Sequence, residues 1–154
     1  MLRPNKYGGD AALVKVREGL VLRWYKDSLG KWTGGYGHLR KPGEESLVIT
    51  RELAEKWLAE DIRTARDAAK RQLDVLPIQT ENLLDTLVSV NYQLGSGWTS
   101  IHKKTWAHMV AGRYSEAASE AQNSLWNAQT PVRVQDLVDA LLEAAFLGKQ
   151  YDAL

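Results

Sequence analysis

Hydrophobic and polar positions follow two different periods along this chain. From Leu20 to Tyr25, branched and aromatic side chains alternate with a period of two, which predicts a β-strand. From Thr50 onward, apolar residues recur at helical spacing with charged residues between them, and Pro77 ends this pattern. The early part of the chain therefore predicts a small mixed region, and the later part predicts helices.

We expect one domain over residues 1–154 that is divided into two lobes. A mixed lobe over 10–50 begins with a helix and continues into a β-hairpin or small sheet. A long connecting helix over 50–76 leads to a helical lobe over 77–154, so the expected fold class is α+β, mainly α. Within the mixed lobe, the first helix is expected to have Asp10 as its N-cap and to end at Glu18. Within the helical lobe, we expect helices over about 80–92 and 99–111, a short helix from Ser115, and a connector that contains Trp126. The last helix is expected to run from Pro131 to near Gly148 and to bury Val134, Leu137, Val138, Leu141, Leu142 and Ala145.

Composition narrows the possible classes of protein without identifying one. The chain is 44% hydrophobic, which suffices for a packed core, and it has no cysteine, which excludes disulfides and cysteine-ligated metals. The net charge is +1 and no basic stripe is present, so nucleic-acid binding is not expected. No apolar run approaches the roughly 18 residues of a membrane span, and the polar start lacks the apolar middle of a signal peptide. We therefore expect a cytoplasmic protein with no membrane span.

Chemically useful residues concentrate between Glu18 and His38. Glu18 ends the first predicted helix, Asp27 opens a turn, and Thr33 precedes a run of glycines that would let the backbone approach a ligand. Two carboxylates and a hydroxyl are the minimum for hydrolysing a glycosidic bond, because one acid protonates the leaving oxygen while the other activates water or stabilises positive charge. Each residue also has an ordinary structural interpretation, as a solvated helix end, a turn cap and a strand residue.

Glu18, Asp27 and Thr33, followed by Gly-Gly-Tyr-Gly-His-Leu, resemble the motif of the phage-type lysozymes of glycoside hydrolase family 24. The similarity extends over roughly residues 10–150. It implies a lysozyme-like fold with a cleft between its lobes, and hydrolysis of the β-1,4 bond between N-acetylmuramic acid and N-acetylglucosamine in peptidoglycan. It also implies that Glu18 is the general acid, that Asp27 and Thr33 hold or activate the attacking water, and that the anomeric carbon is inverted.

The resemblance further places charged and substrate-binding residues around this motif. Asp61 would pair with His38 across the lobes and raise the pKa of the histidine. Arg133 would pair with Glu18 and favour its charged form, whereas the helix end and apolar neighbours would disfavour that form, and the sequence leaves this balance open. The positions that would touch the glycan or line the cleft are Leu39, Tyr92, Thr105 and Glu120, the last of which replaces an amide with an acid.

The sequence therefore predicts an endolysin muramidase that needs no cofactor and no metal. Only three histidines are present, and His102 and His108 lack the i, i+4 spacing of paired zinc ligands on a helix. We expect a monomer that waits in the host cytoplasm, depends on a holin for release, and then acts on the peptidoglycan in the periplasm. One alternative is the same lytic site on a virion, in a prophage or in a bacterial toxin. The others are a catalytically silent lysozyme-like module that binds glycan or a partner, and a lytic transglycosylase, which the presence of Asp27 disfavours.

Overall fold

The computed structural model describes residues 7–152, which form a mainly helical structure with one small sheet, so the predicted α+β class is confirmed. The three strands pair antiparallel in the order β1-β2-β3. The strands are β1 (Val21–Lys26), β2 (Trp32–Gly35) and β3 (His38–Leu39). The helices are α1 (Asp10–Glu18), α2 (Arg51–Asp74), α3 (Glu81–Leu94), α4 (Trp98–Ile101), α5 (Lys103–Val110), α6 (Tyr114–Gln122), α7 (Leu125–Gln129) and α8 (Pro131–Asp152).

The long helix α2 packs on the sheet through one part of its length and on α3 through another. Thr50 caps its start, since the Thr50 side chain accepts a hydrogen bond from the Leu53 N–H at 3.1 Å. Helix α2 ends at Asp74, and a turn then leads to Pro77, so the proline follows the helix at a short distance. The apolar face of α2 is buried through Ala54, Trp57, Leu58, Ile62, Ala65, Ala68 and Ala69.

The sheet approaches α2 so closely that its central strand needs glycines. A Cβ on Gly34 would lie 2.3 Å from the Ile49 side chain, and one on Gly35 would lie 3.2 Å from Ala54. Gly35 also has a φ of +64°, a conformation that other residues rarely adopt. Gly34 and Gly35 therefore allow the sheet to pack closely on α2 and on the segment that precedes it.

The helical lobe is built around α3, which packs against α1, α2, α4 and α8. Its centre contains large apolar side chains from four helices, all with less than 2% of their surface exposed. They are Leu83, Leu87, Val88, Trp98, Met109, Val134, Leu137, Val138 and Leu141. Among residues 7–152, no helix is both long enough and apolar enough to span a membrane.

The predicted boundaries of the first helix and of the helix over 99–111 are wrong in detail. Gly9 rather than Asp10 is the N-cap of α1, because Asp10 turns its carboxylate to Arg66 with contacts of 2.8 and 2.9 Å. The predicted helix over 99–111 is divided into α4 and α5 at His102, whose ring packs 4.9 Å from the Trp126 ring. In both places a tertiary contact outweighs the local signal.

The end of the chain also departs from the prediction. Trp126 lies in the short helix α7, which Ser124 caps, rather than in a connector. Helix α8 continues past Gly148 to Asp152. Leu142 is 47% exposed, because the buried stripe of α8 passes through Ala140, Leu141 and Ala144 instead.

Candidate active site

Glu18 is the last residue of α1, and two cations fix its position. The neighbouring Arg17 holds α1 to α8 through a two-pronged contact with Asp136 at 2.7 and 2.9 Å. Arg133 donates from Nη1 to Glu18 Oε1 at 2.5 Å and from Nη2 to the carbonyl and hydroxyl of Ser89, both at 3.0 Å. The Glu18 side chain is 18% exposed, so its carboxylate is oriented by Arg133 and remains partly accessible to solvent.

The second oxygen of Glu18 faces Gly37, next to β3. A Cβ on Gly37 would lie 2.4 Å from Glu18 Oε2, and the φ of Gly37 is +73°. Any other residue at this position would strain the backbone and displace the carboxylate. Gly37 therefore leaves room for Glu18 Oε2 at the edge of the sheet.

Asp27 closes the turn between β1 and β2. Its Oδ1 accepts hydrogen bonds from the backbone N–H groups of Leu29 and Lys31, both at 2.9 Å. Among the described residues, Oδ2 has no hydrogen-bond partner. The turn thus orients the carboxylate through one oxygen and leaves the other free for a ligand or water.

Thr33 lies in β2 with only 4% of its surface exposed. Its hydroxyl donates a hydrogen bond to the Lys31 carbonyl at 3.0 Å. Because the proton is already committed, the oxygen can only accept a further hydrogen bond. Thr33 also pairs with Tyr25 in the register of β1 and β2.

Tyr25 connects the predicted catalytic residues electrostatically. Burial raises the pKa of the Tyr25 phenol, and the negative charges of Glu18 and then Asp27 raise it further. Both carboxylates therefore act on the same phenol, which stands beside Thr33 in the sheet. The structure places Glu18 before the first residue of β1 and Asp27 after its last residue, while Thr33 pairs with Tyr25 within the sheet. Nothing in the sequence marks Tyr25 as a residue that both carboxylates would influence.

His38 is 2% exposed, and each of its ring nitrogens faces a carboxylate. Nδ1 lies 2.7 Å from Asp61 Oδ2, and Nε2 lies 3.0 Å from Glu44 Oε1. Burial alone would lower the pKa of His38, but the hydrogen bonds to Asp61 and Glu44 outweigh burial and raise the pKa above its ordinary value. The ring also stacks on Trp57 with centroids 4.1 Å apart. The predicted contact with Asp61 is present, and Glu44 is a second partner.

A cleft with a volume of about 390 Å³ runs between the sheet and the helical lobe, with α2 along its base. Leu39 and Tyr92, two of the four positions that the resemblance placed at the glycan, line it from opposite sides. Thr105 and Glu120 do not line it, and Thr105 is only 4% exposed. The complete lining is Gly37, His38, Leu39, Lys41, Asp61, Thr64, Ala65, Ala68, Arg71, Asn91, Tyr92, Gly95 and Ser96.

Tyr92 joins the two sides of the cleft. Its hydroxyl donates a hydrogen bond to the Tyr36 carbonyl, which links α3 to the loop between β2 and β3. Burial raises the pKa of Tyr92, and the negative charges of Asp61 and Glu18 add to this effect, so the phenol stays neutral. Because the hydroxyl is already hydrogen-bonded, the aromatic ring is the part of Tyr92 that can contact a ligand in the cleft.

A helical lobe and a small sheet that flank a cleft, with a carboxylate at the end of the first helix, define a lysozyme-like protein. The family model described as phage lysozyme matches residues 15–146. The chain therefore belongs to the phage lysozyme family, and as a lysozyme it is a glycoside hydrolase.

Individual relatives agree with this family. The chain is 36% identical over 109 residues to an endolysin of Acyrthosiphon pisum secondary endosymbiont phage 1, covering 70% of this chain and 71% of that protein. It is 27% identical over 153 residues to probable T4-type lysozyme 2 of Dictyostelium discoideum, covering 79% and 86% of the two chains. It is also 33% identical over 129 residues to an endolysin of Bacillus phage PZA, covering 82% of this chain and 48% of that protein.

Proposed function

We propose that the chain is an endolysin muramidase that hydrolyses the β-1,4 bond between N-acetylmuramic acid and N-acetylglucosamine in peptidoglycan. Its membership of the phage lysozyme family and the endolysin names of its phage relatives support this substrate. The observation that carries the proposal is the position of Glu18, whose carboxylate is held by Arg133 and faces Gly37 on the cleft lining.

Glu18 acts as general acid through Oε2. Arg133 occupies Oε1 at 2.5 Å, so a proton on that oxygen would cost the charge-assisted hydrogen bond. The proton is therefore held by Oε2, the oxygen beside Gly37, and is transferred to the glycosidic oxygen as the bond breaks. The same arginine stabilises the carboxylate that remains after proton transfer.

Asp27 and Thr33 position and activate the attacking water. Asp27 Oδ2 lacks a partner among the described residues, and it can accept a proton from water while Oδ1 stays fixed by the turn. Thr33 donates to the Lys31 carbonyl, so its oxygen accepts a hydrogen from the same water and orients a lone pair of the water toward the anomeric carbon. A water that attacks opposite to the leaving group inverts that carbon.

Leu39 and Tyr92 contact the glycan from the two sides of the cleft. Leu39 is 50% exposed and Tyr92 presents an aromatic ring, and such surfaces pack on the apolar faces of sugar rings. The protein acts as a monomer on periplasmic peptidoglycan after a holin releases it from the host cytoplasm. The endolysin names of the phage relatives support action on peptidoglycan.

Product analysis tests the reaction directly. Purified peptidoglycan digested in isotopically labelled water is expected to give reducing N-acetylmuramic acid ends that carry the label, as hydrolysis requires. Unlabelled anhydro-muramic ends, which contain one water less, would instead identify a lytic transglycosylase. A rapid nuclear magnetic resonance measurement of the first anomer formed tests inversion.

A further inference from the structure

The turn between β2 and β3 carries the peptide unit that lies against Glu18. This turn consists of Tyr36 and Gly37. A Cβ on Gly37 would lie 2.4 Å from Glu18 Oε2, and a Cβ is about 1.5 Å from its Cα, so the Gly37 Cα lies within about 4 Å of this oxygen. A peptide unit is planar from one Cα to the next, so the position of the Tyr36 carbonyl determines where the Gly37 Cα lies. A group that holds this carbonyl therefore also holds the backbone on the Oε2 side of Glu18.

Tyr92 holds this carbonyl from the helical side of the cleft, because its hydroxyl donates a hydrogen bond to the Tyr36 carbonyl. The Tyr36 side chain is anchored separately, since it is 7% exposed and its hydroxyl donates to Glu55 Oε1 of α2 at 3.1 Å. Gly35 and Gly37 lie on either side of Tyr36, both with positive φ, and glycines restrict the backbone little. The hydrogen bond from Tyr92 thus restrains the turn where its own sequence leaves the backbone free to move.

Helix α3 supports the other side of the carboxylate as well. Arg133 donates to Glu18 Oε1 at 2.5 Å, and its second terminal nitrogen donates to the carbonyl and hydroxyl of Ser89, both at 3.0 Å. Ser89 precedes Tyr92 by three residues, so the two side chains lie one turn apart on the same face of α3. One turn of α3 therefore supports Arg133 on the Oε1 side of Glu18 and the Tyr36 carbonyl on the Oε2 side.

We propose that Tyr92 is a positioning residue for the general acid, because its hydroxyl fixes the peptide unit between Tyr36 and Gly37 and this peptide unit sets the direction of Glu18 Oε2. The inference rests on the proposed muramidase function. The role belongs to the hydroxyl and is separate from the glycan contact proposed for the ring. Proton transfer needs the acid within hydrogen-bond reach of the leaving oxygen, so a displaced Oε2 slows the chemical step and leaves glycan binding unchanged.

The test uses two variants that each remove one tyrosine hydroxyl. Tyr92→Phe keeps the ring in the cleft and removes the hydrogen bond to the Tyr36 carbonyl. The matched control is Tyr114→Phe, since Tyr114 is 3% exposed, bonds the N–H and the carbonyl of Ile78, and does not line the cleft. Both kcat and KM are measured on soluble, uncrosslinked peptidoglycan strands from the release of reducing ends, and circular dichroism and urea titration establish that each variant is folded.

Tyr92→Phe is expected to lower kcat about tenfold and to keep KM within about twofold of the wild-type value, whereas Tyr114→Phe should keep both constants. A change in kcat of less than about threefold in Tyr92→Phe would overturn the inference and leave the muramidase function intact. An equal loss of kcat in the two variants would also overturn it, because a general loss of stability would then explain both. Failure of the wild type to hydrolyse the strands would overturn the muramidase function and this inference with it.

The double variant Tyr92→Phe/Gly37→Ala tests the route through the peptide unit. Gly37→Ala by itself displaces Glu18 Oε2, so the additional loss of the Tyr92 hydroxyl should change kcat less than about twofold. A further loss of about tenfold would mean that the two substitutions act independently, which would overturn the inference.

Nuclear magnetic resonance provides a readout that does not depend on turnover. The carbon-13 resonance of the Glu18 carboxyl group, identified by its absence in Glu18→Gln, should shift in Tyr92→Phe and should not shift in Tyr114→Phe. An unshifted Glu18 resonance in Tyr92→Phe would overturn the inference even if kcat falls, because the hydroxyl would then act on the rate without acting on Glu18.

Discussion

His38 and its two carboxylate partners make the stability of the protein depend on pH, and one substitution should remove part of that dependence. A histidine that donates from both ring nitrogens to carboxylates must be protonated, and His38 has Asp61 and Glu44 on its two sides. Asp61→Asn keeps the shape of the side chain and removes its charge. His38 is then left with one charged partner in a site where it is 2% exposed.

The expected loss of stability follows from the contact and its exposure. A hydrogen bond to a charged group contributes about 1.5–3 kcal/mol, and His38 Nδ1 lies 2.7 Å from Asp61 Oδ2. The Asp61 side chain is 29% exposed, so solvent screens part of this interaction. We therefore expect Asp61→Asn to lower the free energy of unfolding by about 1–2 kcal/mol near pH 6.

The sign of the pH dependence follows from the raised pKa of His38. A histidine whose folded pKa exceeds its unfolded value of about 6.5 stabilises the fold fully below that unfolded value. This stabilisation disappears as the pH rises through the folded pKa. The difference in unfolding free energy between the wild type and Asp61→Asn should therefore be largest at about pH 6 and shrink toward about pH 9.

Urea denaturation at several pH values measures the difference, and nuclear magnetic resonance of the imidazole protons measures the pKa of His38 directly. Glu60→Gln is the matched control, since it removes one exposed charge from the adjacent position of α2. An identical His38 pKa in the wild type and Asp61→Asn would refute the charged pair. So would a stability difference that stays constant from about pH 6 to about pH 9.

Three further substitutions test the geometry around the carboxylate. Gly37→Ala places a methyl group 2.4 Å from Glu18 Oε2 and should reduce turnover about 100-fold. The control Gly43→Ala also has a positive φ, but its methyl group meets no atom within 4 Å, so its turnover should stay at the wild-type value. Similar turnover in the two variants would contradict the role of Gly37. Arg133→Gln should lower the free energy of unfolding, measured by urea titration, by about 2–4 kcal/mol, because Arg133 bonds both Glu18 and Ser89. A decrease in this free energy of less than about 1 kcal/mol would be inconsistent with those hydrogen bonds. Thr33→Val should slow hydrolysis at least about tenfold with an unchanged circular dichroism spectrum, and Thr33→Ser should restore it; full activity in Thr33→Val would exclude its role.

Local signals in the sequence predicted the framework of the fold. The period of two before Asp27 marks β1, and the helical spacing after Thr50 marks α2. Pro131 begins α8, where its missing N–H costs nothing. Each of these features depends on residues close together in the chain, which is why one sequence suffices to find them.

Contacts between distant segments could not be predicted in the same way. Glu44 reaches His38 from a loop that has no hydrophobic period, so nothing in its neighbourhood marks it as a partner. The sequence marks Gly37 only as one glycine in a run where the backbone could approach a ligand. Its importance comes from Glu18, which approaches from α1.

The most direct test of the proposed chemistry is the rate at which Glu18→Gln clears Gram-negative cells stripped of their outer membrane. The control is Glu52→Gln, an equal change at an exposed position of α2, and circular dichroism should show matching folds for all three proteins. The wild type and Glu52→Gln should clear the suspension at similar rates, and Glu18→Gln should be at least about 100-fold slower, as loss of a general acid predicts. A clearing rate for Glu18→Gln within a few-fold of the wild-type rate would contradict the role of Glu18. If the wild type binds peptidoglycan but does not clear the suspension, the protein is instead a lysozyme-like binding module.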